Sequence, residues 1–445
     1  MPNIDRRTAR RLLKKLQAGT TTADGTESLH VGHEGWLAAQ KELRDEVFED
    51  DDSSTKFVKG AYGAGKSHFL VVMQRAAEHE GWATAHVECN AHEVALDKFV
   101  TLYKGVIKRL RVPGVAEDLT ELLDRFTDGK TGDLTDLLDR FTDRILKTAG
   151  HSRARTMHAM KKGRDVRSAV EKRLMREANL PYQFRNALIG YVMASIEPDV
   201  YLQTMVTDWL KGGDQVLELR ESLLTTTRSS SRTSRPKVVR IKPIKEGTVK
   251  ETMGGLLWLI KNAGYKGLVL CVDEVEHLAN LKPKTRIRAA LDELRRHIDS
   301  AGGDDEYNGL CLYLAATPDM FDNPDNFPSY DALQTRIQPL RQGERIDFRG
   351  TVIDLEKTPL TEEDMRTLTR NLRKIHQIAR NVQDTDLVTD TELDEFLDTV
   401  ITTKLRGGKP RLLTRLVIDR LENGPDSTQS PAERLQRVST AGQQS

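Results

Sequence analysis

The sequence predicts an α/β protein in which a mostly parallel sheet lies between helices, is interrupted by a large all-helical insert and is followed by a small C-terminal helical lid. Three observations predict it. Leu268–Val272 and Leu310–Ala316 are short, fully apolar runs, the composition that parallel strands buried on both faces require. A glycine-rich turn joins the apolar pair Phe57–Val58 to a helical pattern at Phe69–Met73. Helical periodicity then dominates two long stretches, about Phe99–Leu224 and Thr361–Asn423.

Along the chain, Ile4, Ala9, Leu12, Leu13 and Leu16 form an apolar stripe among Arg and Lys, and Gly19 ends the pattern. This is a basic amphipathic helix, expected to pack on the core. A second helix covers Trp36 to Phe48, and the acidic turn Glu49–Asp52 leads into the first strand. Ala83–Cys89 has the alternation and β-branching of a second strand. Inside the insert, residues 118–128 recur almost unchanged as 133–143, with Gly129 and Gly132 between them. Two copies predict a helical hairpin, since a solenoid needs at least three units. Gly129–Thr131 resembles a phosphate loop only superficially, lacking the upstream glycine and the strand.

Residues 153–176 and 225–245 are rich in Lys and Arg. Such runs are usually solvated faces, but two of them in one insert also fit contact with the phosphates of duplex or single-stranded DNA. The expected organisation is a first part of the core with N-terminal helices at 1–100 and a helical insert with basic linker at 101–245. A second part of the core follows at 246–357, then a lid at 358–425 and a disordered polar tail at 426–445.

Composition narrows the class. The chain has 445 residues, 30% charged and 38% hydrophobic, with a net charge of +1. That near-neutrality argues against a protein that coats nucleic acid throughout. No apolar run approaches a membrane span, and the N-terminus carries no apolar signal segment, so a cytoplasmic protein without membrane contact is expected. Cys89, Cys271 and Cys311 sit singly in apolar runs and read as small buried hydrophobes.

The chemistry lies in the glycine-rich turn. Gly60, Ala61, Tyr62, Gly63, Ala64, Gly65, Lys66 and Ser67 satisfy G-x-x-x-x-G-K-[ST] in full, and His68 continues into the helix. Backbone N–H groups and the helix dipole there face a triphosphate, Lys66 neutralises the β- and γ-phosphates, and the Ser67 hydroxyl ligates Mg²⁺. The strand at 268–272 runs into Asp273 and Glu274. An acid at the tip of a neighbouring buried strand holds the metal, and a glutamate after it polarises the attacking water. Asp273 is therefore the metal-positioning residue and Glu274 the general base, with Glu276 a weaker candidate.

Thr317 follows the next strand. A strand-ending Thr-Pro turn is the plain alternative, but the place of Thr317 one strand beyond Asp273 favours a hydroxyl that senses the γ-phosphate or attacking water. Arg336 lies where it reaches a neighbouring subunit's site as an arginine finger, implying a homo-oligomer. A surface salt bridge is the plain alternative, and Arg341 and Arg345 compete for the role. Arg411 starts a helix in the lid, with Pro410 in its first turn, and from there reaches a γ-phosphate between core and lid. Together these residues predict Mg²⁺-dependent hydrolysis of ATP or GTP.

Gly60–Ser67, Leu268–Glu274, Thr317 and residues 408–411 resemble an AAA+-type P-loop ATPase of the origin-recognition and STAND group. The resemblance implies ATP as the nucleotide, a Walker B acid at Asp273, a first sensor at Thr317 and a three-layer core. Val31, Gly32, His33 and Glu34 are similar to that group's V-G-R-E box beside the adenine, with His33 in place of the usual arginine. Asn90 matches the polar position that restrains the catalytic glutamate. More closely, residues 9–19, 60–70 and 263–276 resemble the ATP-binding proteins of BREX systems, and the length resembles the shorter, BrxD-like members. This resemblance implies anti-phage defence beside a helicase or DNA methyltransferase. Two rival readings are an initiator-type ATPase that loads DNA outside defence and a STAND-like ATP switch without productive turnover. Initiators usually append a winged helix, which is not expected in the short polar tail after Asn423.

Overall fold

The computed structural model describes residues 4–20, 25–90, 93–114, 131–148, 170, 174, 180–220, 238–281, 284–300, 307–329, 331–337, 346–382, 388–403 and 410–423. Five strands form the central sheet: β1 (Ser54–Lys59), β2 (Ala83–Glu88), β3 (Leu268–Asp273), β4 (Leu310–Ala316) and β5 (Val352–Asp354). Their order is β2-β3-β4-β1-β5, and every pairing is parallel. β3 and β4 are buried at every residue, as central strands covered on both faces must be. β4 thus separates the strand that carries the glycine-rich loop from the strand that carries Asp273. The chain leaves β1 toward β2 on one side and leaves β4 toward β5 on the other. That divergence opens a crevice at the carboxyl ends of the strands.

Period-two alternation sorts the strand residues between the two faces. Leu268, Leu270 and Val272 point into one apolar cluster with Ala83, Ala85, Val87, Leu312 and Leu314. Val269 and Cys271 point the other way, into a cluster with Val58, Phe69, Leu70, Met73 and Tyr313. That second face is covered by α2 (Glu34–Glu49) and α3 (Lys66–His79). On the first face lie α4 (Phe99–Lys108), α5 (Leu134–Thr148), α6 (Tyr182–Ile196), α7 (Val200–Leu210) and α8 (Glu246–Asn262). Phe141, Phe184, Val192, Trp209 and Leu257 from this helical region join the strands in one continuous core. An antiparallel ribbon, Leu217–Arg220 with Val238–Ile241, borders it.

Further α-helices among the described residues are α9 (Lys284–Ser300), α10 (Pro318–Asp322), α11 (Asp331–Ile337), α12 (Glu362–Arg380), α13 (Asp390–Thr403) and α14 (Pro410–Asn423). The first helix of the chain, at Arg6–Gln17, is α1. The core on which α1 packs is that of the C-terminal helices, separate from the sheet. Ala9, Leu12 and Leu13 lie in a separate cluster with Leu368, Leu372, Leu397, Leu413 and Val417 of the C-terminal helices. Its basic residues help to join them: the Arg10 Nε donates to the Ala379 carbonyl at 3.0 Å, where α12 ends and its dipole favours a cation. Part of the positive charge of α1 is thereby engaged at the edge of the bundle.

α12 opens on a capping box, with Thr361 and Asp364 each bonding the other's backbone N–H. Pro410 is the first residue of α14. Cys89, Cys271 and Cys311 are buried free thiols. Of the duplicated segment, residues 134–143 fall on α5 and Asp133 precedes it, while the first copy lies outside the described residues. So do residues 153–169 and 225–237 of the basic runs, Arg341, Arg345 and the tail from 424. No described helix is long and apolar enough to cross a membrane.

Candidate active site

The loop between β1 and α3 is shaped by its glycines. Gly63 and Gly65 have φ of 82° and 101°, a region costly to any residue with a Cβ. Gly65 is the N-cap of α3, and having no side chain it cannot satisfy the helix's first N–H groups. They remain directed at the crevice, with the positive end of the helix dipole behind them. The Lys66 Nζ turns back over the loop and donates to the Gly60 carbonyl at 2.9 Å.

A cavity of about 770 Å³ gathers Tyr62 to His68, Val31, His33, Asp273, Glu274, Glu276 and Arg411 along its walls. Gly60, Ala61, Gly32, Thr317 and Arg336 are not among its lining residues. Thr317 stands at the tip of β4, between β1 and β3, as the N-cap of α10, and its hydroxyl makes no capping bond. Arg336 lies on α11, and its side chain is outside the described residues.

Asp273 is buried at the end of β3. Burial alone would raise its carboxyl, but His86, whose Nε2 lies 3.7 Å from Oδ2, the nearby Ser67 hydroxyl and the Glu274 amide outweigh this and hold it below the ordinary carboxylate range. It is therefore an anion on the same cavity wall as the loop serine. A hydroxyl and a carboxylate so placed fit Mg²⁺, which binds few protein groups and keeps water or phosphate oxygens in its other positions. Among the described residues no group of three or more His, Cys, Asp or Glu is gathered to hold a metal by side chains alone.

Glu274 has φ 56° and ψ 36°, the left-handed region. Such a conformation in a non-glycine residue costs about 1–3 kcal/mol and recurs at functional sites. Here the Glu274 N–H donates to Asp273 Oδ1 at 2.8 Å, and its carboxylate stands half exposed, 3.3 Å from His277 Nε2. Glu276 lies deeper. Burial raises its carboxyl above the ordinary range, partly offset by Lys66, and its Oε2 is buried without a hydrogen-bond partner.

Asn90 is engaged locally, its Oδ1 accepting from the Glu93 N–H at 2.5 Å.

Three imidazoles flank the other end of the loop. His30 and His68 stack at 5.5 Å between ring centroids, and His30 Nδ1 lies 3.3 Å from His68 Nε2. His33 packs edge-on against Phe69 and shares the Thr358 hydroxyl with the Trp36 indole N–H, each at 3.0 Å. Burial lowers the basicity of all three, and His68 is pushed down to about 3. They are neutral near pH 7. His33, at the position where the resembling box has arginine, thus brings no fixed charge.

Sequence reasoning missed His30, His68's partner, and His86, Asp273's partner. One signal was present: Thr84, His86 and Glu88 alternate as the polar face of β2, a face that an apolar core cannot fill.

A family model described as BREX system ATP-binding protein BrxC/D matches residues 4–436. No curated protein matches the chain, and no solved structure does.

Proposed function

Because the chain belongs to the BREX system ATP-binding protein BrxC/D family, we propose that it binds ATP on the Gly60–Ser67 loop and hydrolyses it with Mg²⁺. The observation that supports this reading is that Lys66, Ser67, an ionised Asp273 and Glu274 line one cavity at the glycine-rich loop. Ser67 and Asp273 would hold the ion, which draws charge from the β- and γ-phosphate oxygens. Lys66 neutralises the same oxygens, and the Glu274 carboxylate accepts a proton from the attacking water. Arg411 contacts the γ-phosphate from the lid, Thr317 orients the water, and Arg336 serves a neighbouring subunit in a homo-oligomer. Val31 and Gly32 face the base. Hydrolysis then moves the lid and changes engagement of DNA or a partner protein of the defence system, a reading that rests on the basic runs.

The Glu274→Gln variant tests the chemical step. ATP binding, measured by calorimetry, should persist, while phosphate release falls by about 10²–10⁴-fold, the usual contribution of a general base. Turnover at the parent rate would remove Glu274 from the mechanism. Phage restriction by the same variant then reports whether hydrolysis is the working step.

A further inference from the structure

Arg411 is held across the junction between the phosphate loop and the C-terminal bundle. Its guanidinium carbon lies 5.0 Å from the centroid of the Tyr62 ring. On the bundle side it packs against Gly19, just beyond the end of α1, where an added Cβ would meet Arg411 Nη2 at 2.8 Å. A Cβ at Gly63, in the middle of the loop, would lie 3.7 Å from Arg411 Cβ. Tyr62 is 76% exposed, so burial does not account for an aromatic ring at this point of the loop. No ion pair to Arg411 is found among the described residues.

We propose that Tyr62 is a positioning residue, whose ring holds the Arg411 guanidinium at the mouth of the phosphate loop and so readies the lid to distinguish ATP from ADP. The proposal rests on the reading of Gly60–Ser67 as the ATP site. α14 carries Arg411 into this place because its buried face, Leu413, Leu416 and Val417, is fixed in the bundle with α1 and α12. Gly19 leaves room for the side chain on one side, and Tyr62 supplies an electron-rich face on the other. A cation over an exposed ring corresponds to about a two- to fivefold change in an equilibrium.

The test measures ATP and ADP affinity by titration calorimetry on the full chain in the Glu274→Gln background, so that turnover does not interfere. Tyr62→Ala should weaken ATP about two- to fivefold and ADP by less. Tyr62→Phe, which keeps the ring, should restore the parent ATP-to-ADP ratio. In an Arg411→Ala background, Tyr62→Ala should add nothing further. An unchanged ratio in Tyr62→Ala, or additive effects of the two substitutions, overturns the proposal while leaving the ATP site standing. Failure of the parent chain to bind ATP overturns both.

Discussion

Lowering the pH from 7 to 5 should destabilise the folded chain through the imidazoles beside the loop, and His68 sets the scale. Its ordinary value is 6.5, and in the fold burial, reinforced by His30 and His33, pushes it down to about 3. The unfolded chain therefore takes up this proton first. The stability linked to His68 is fully present above the unfolded value and is lost as pH falls from there toward the folded one. For a single imidazole shifted this far, the loss between pH 7 and pH 5 is about 2 kcal/mol. His30 and His33 are lowered in the same direction and add to it. Urea unfolding at both pH values, on the parent chain and on His68→Gln, isolates the effect because other titrating groups cancel in the comparison. The parent should lose about 2 kcal/mol more than the variant over this interval. Equal losses in the two proteins would refute a buried neutral His68.

Two further perturbations test the packing that positions the site. Arg44 is 2% exposed in its side chain and grips Glu80 with two hydrogen bonds of 2.8 Å, tying α2 to the end of α3. Glu80→Ala strands that charge and should cost about 3–5 kcal/mol in urea unfolding, whereas Arg44→Met should cost much less. Leu12→Ala should remove about 2–5 kcal/mol of packing from the bundle. Hydrogen exchange should then accelerate in α1, α12 and α14 and stay unchanged in β3 and β4, and equal acceleration in the central strands would show that the bundle does not open by itself.

The glycine-rich loop was legible in the sequence because its shape depends on local backbone. A phosphate loop needs glycines, a lysine and a hydroxyl at fixed spacing between a strand and a helix, and all of them lie within eight consecutive residues, 60–67. Asp273 was legible because a fully buried parallel strand has an unmistakable composition and its tip is a fixed place. The histidines were not, because a lone His30 or His86 carries no periodic signal and acquires a role only from its neighbour across the fold. The packing of α1 was equally hidden. An apolar stripe says that a helix is covered on one side, but not by what.

The sequence by itself thus determined the family, the α/β class and the composition of the phosphate loop, since each is written in short-range patterns. Only the tertiary structure decided that β4 lies between the strands bearing the loop and the acid, and that Ser67 and Asp273 line one cavity. It also decided that the first and last described helices share one core and bring Arg411 over Tyr62. These are choices among long-range partners of similar local character, made by burying complementary faces against one another rather than by any residue's own preference.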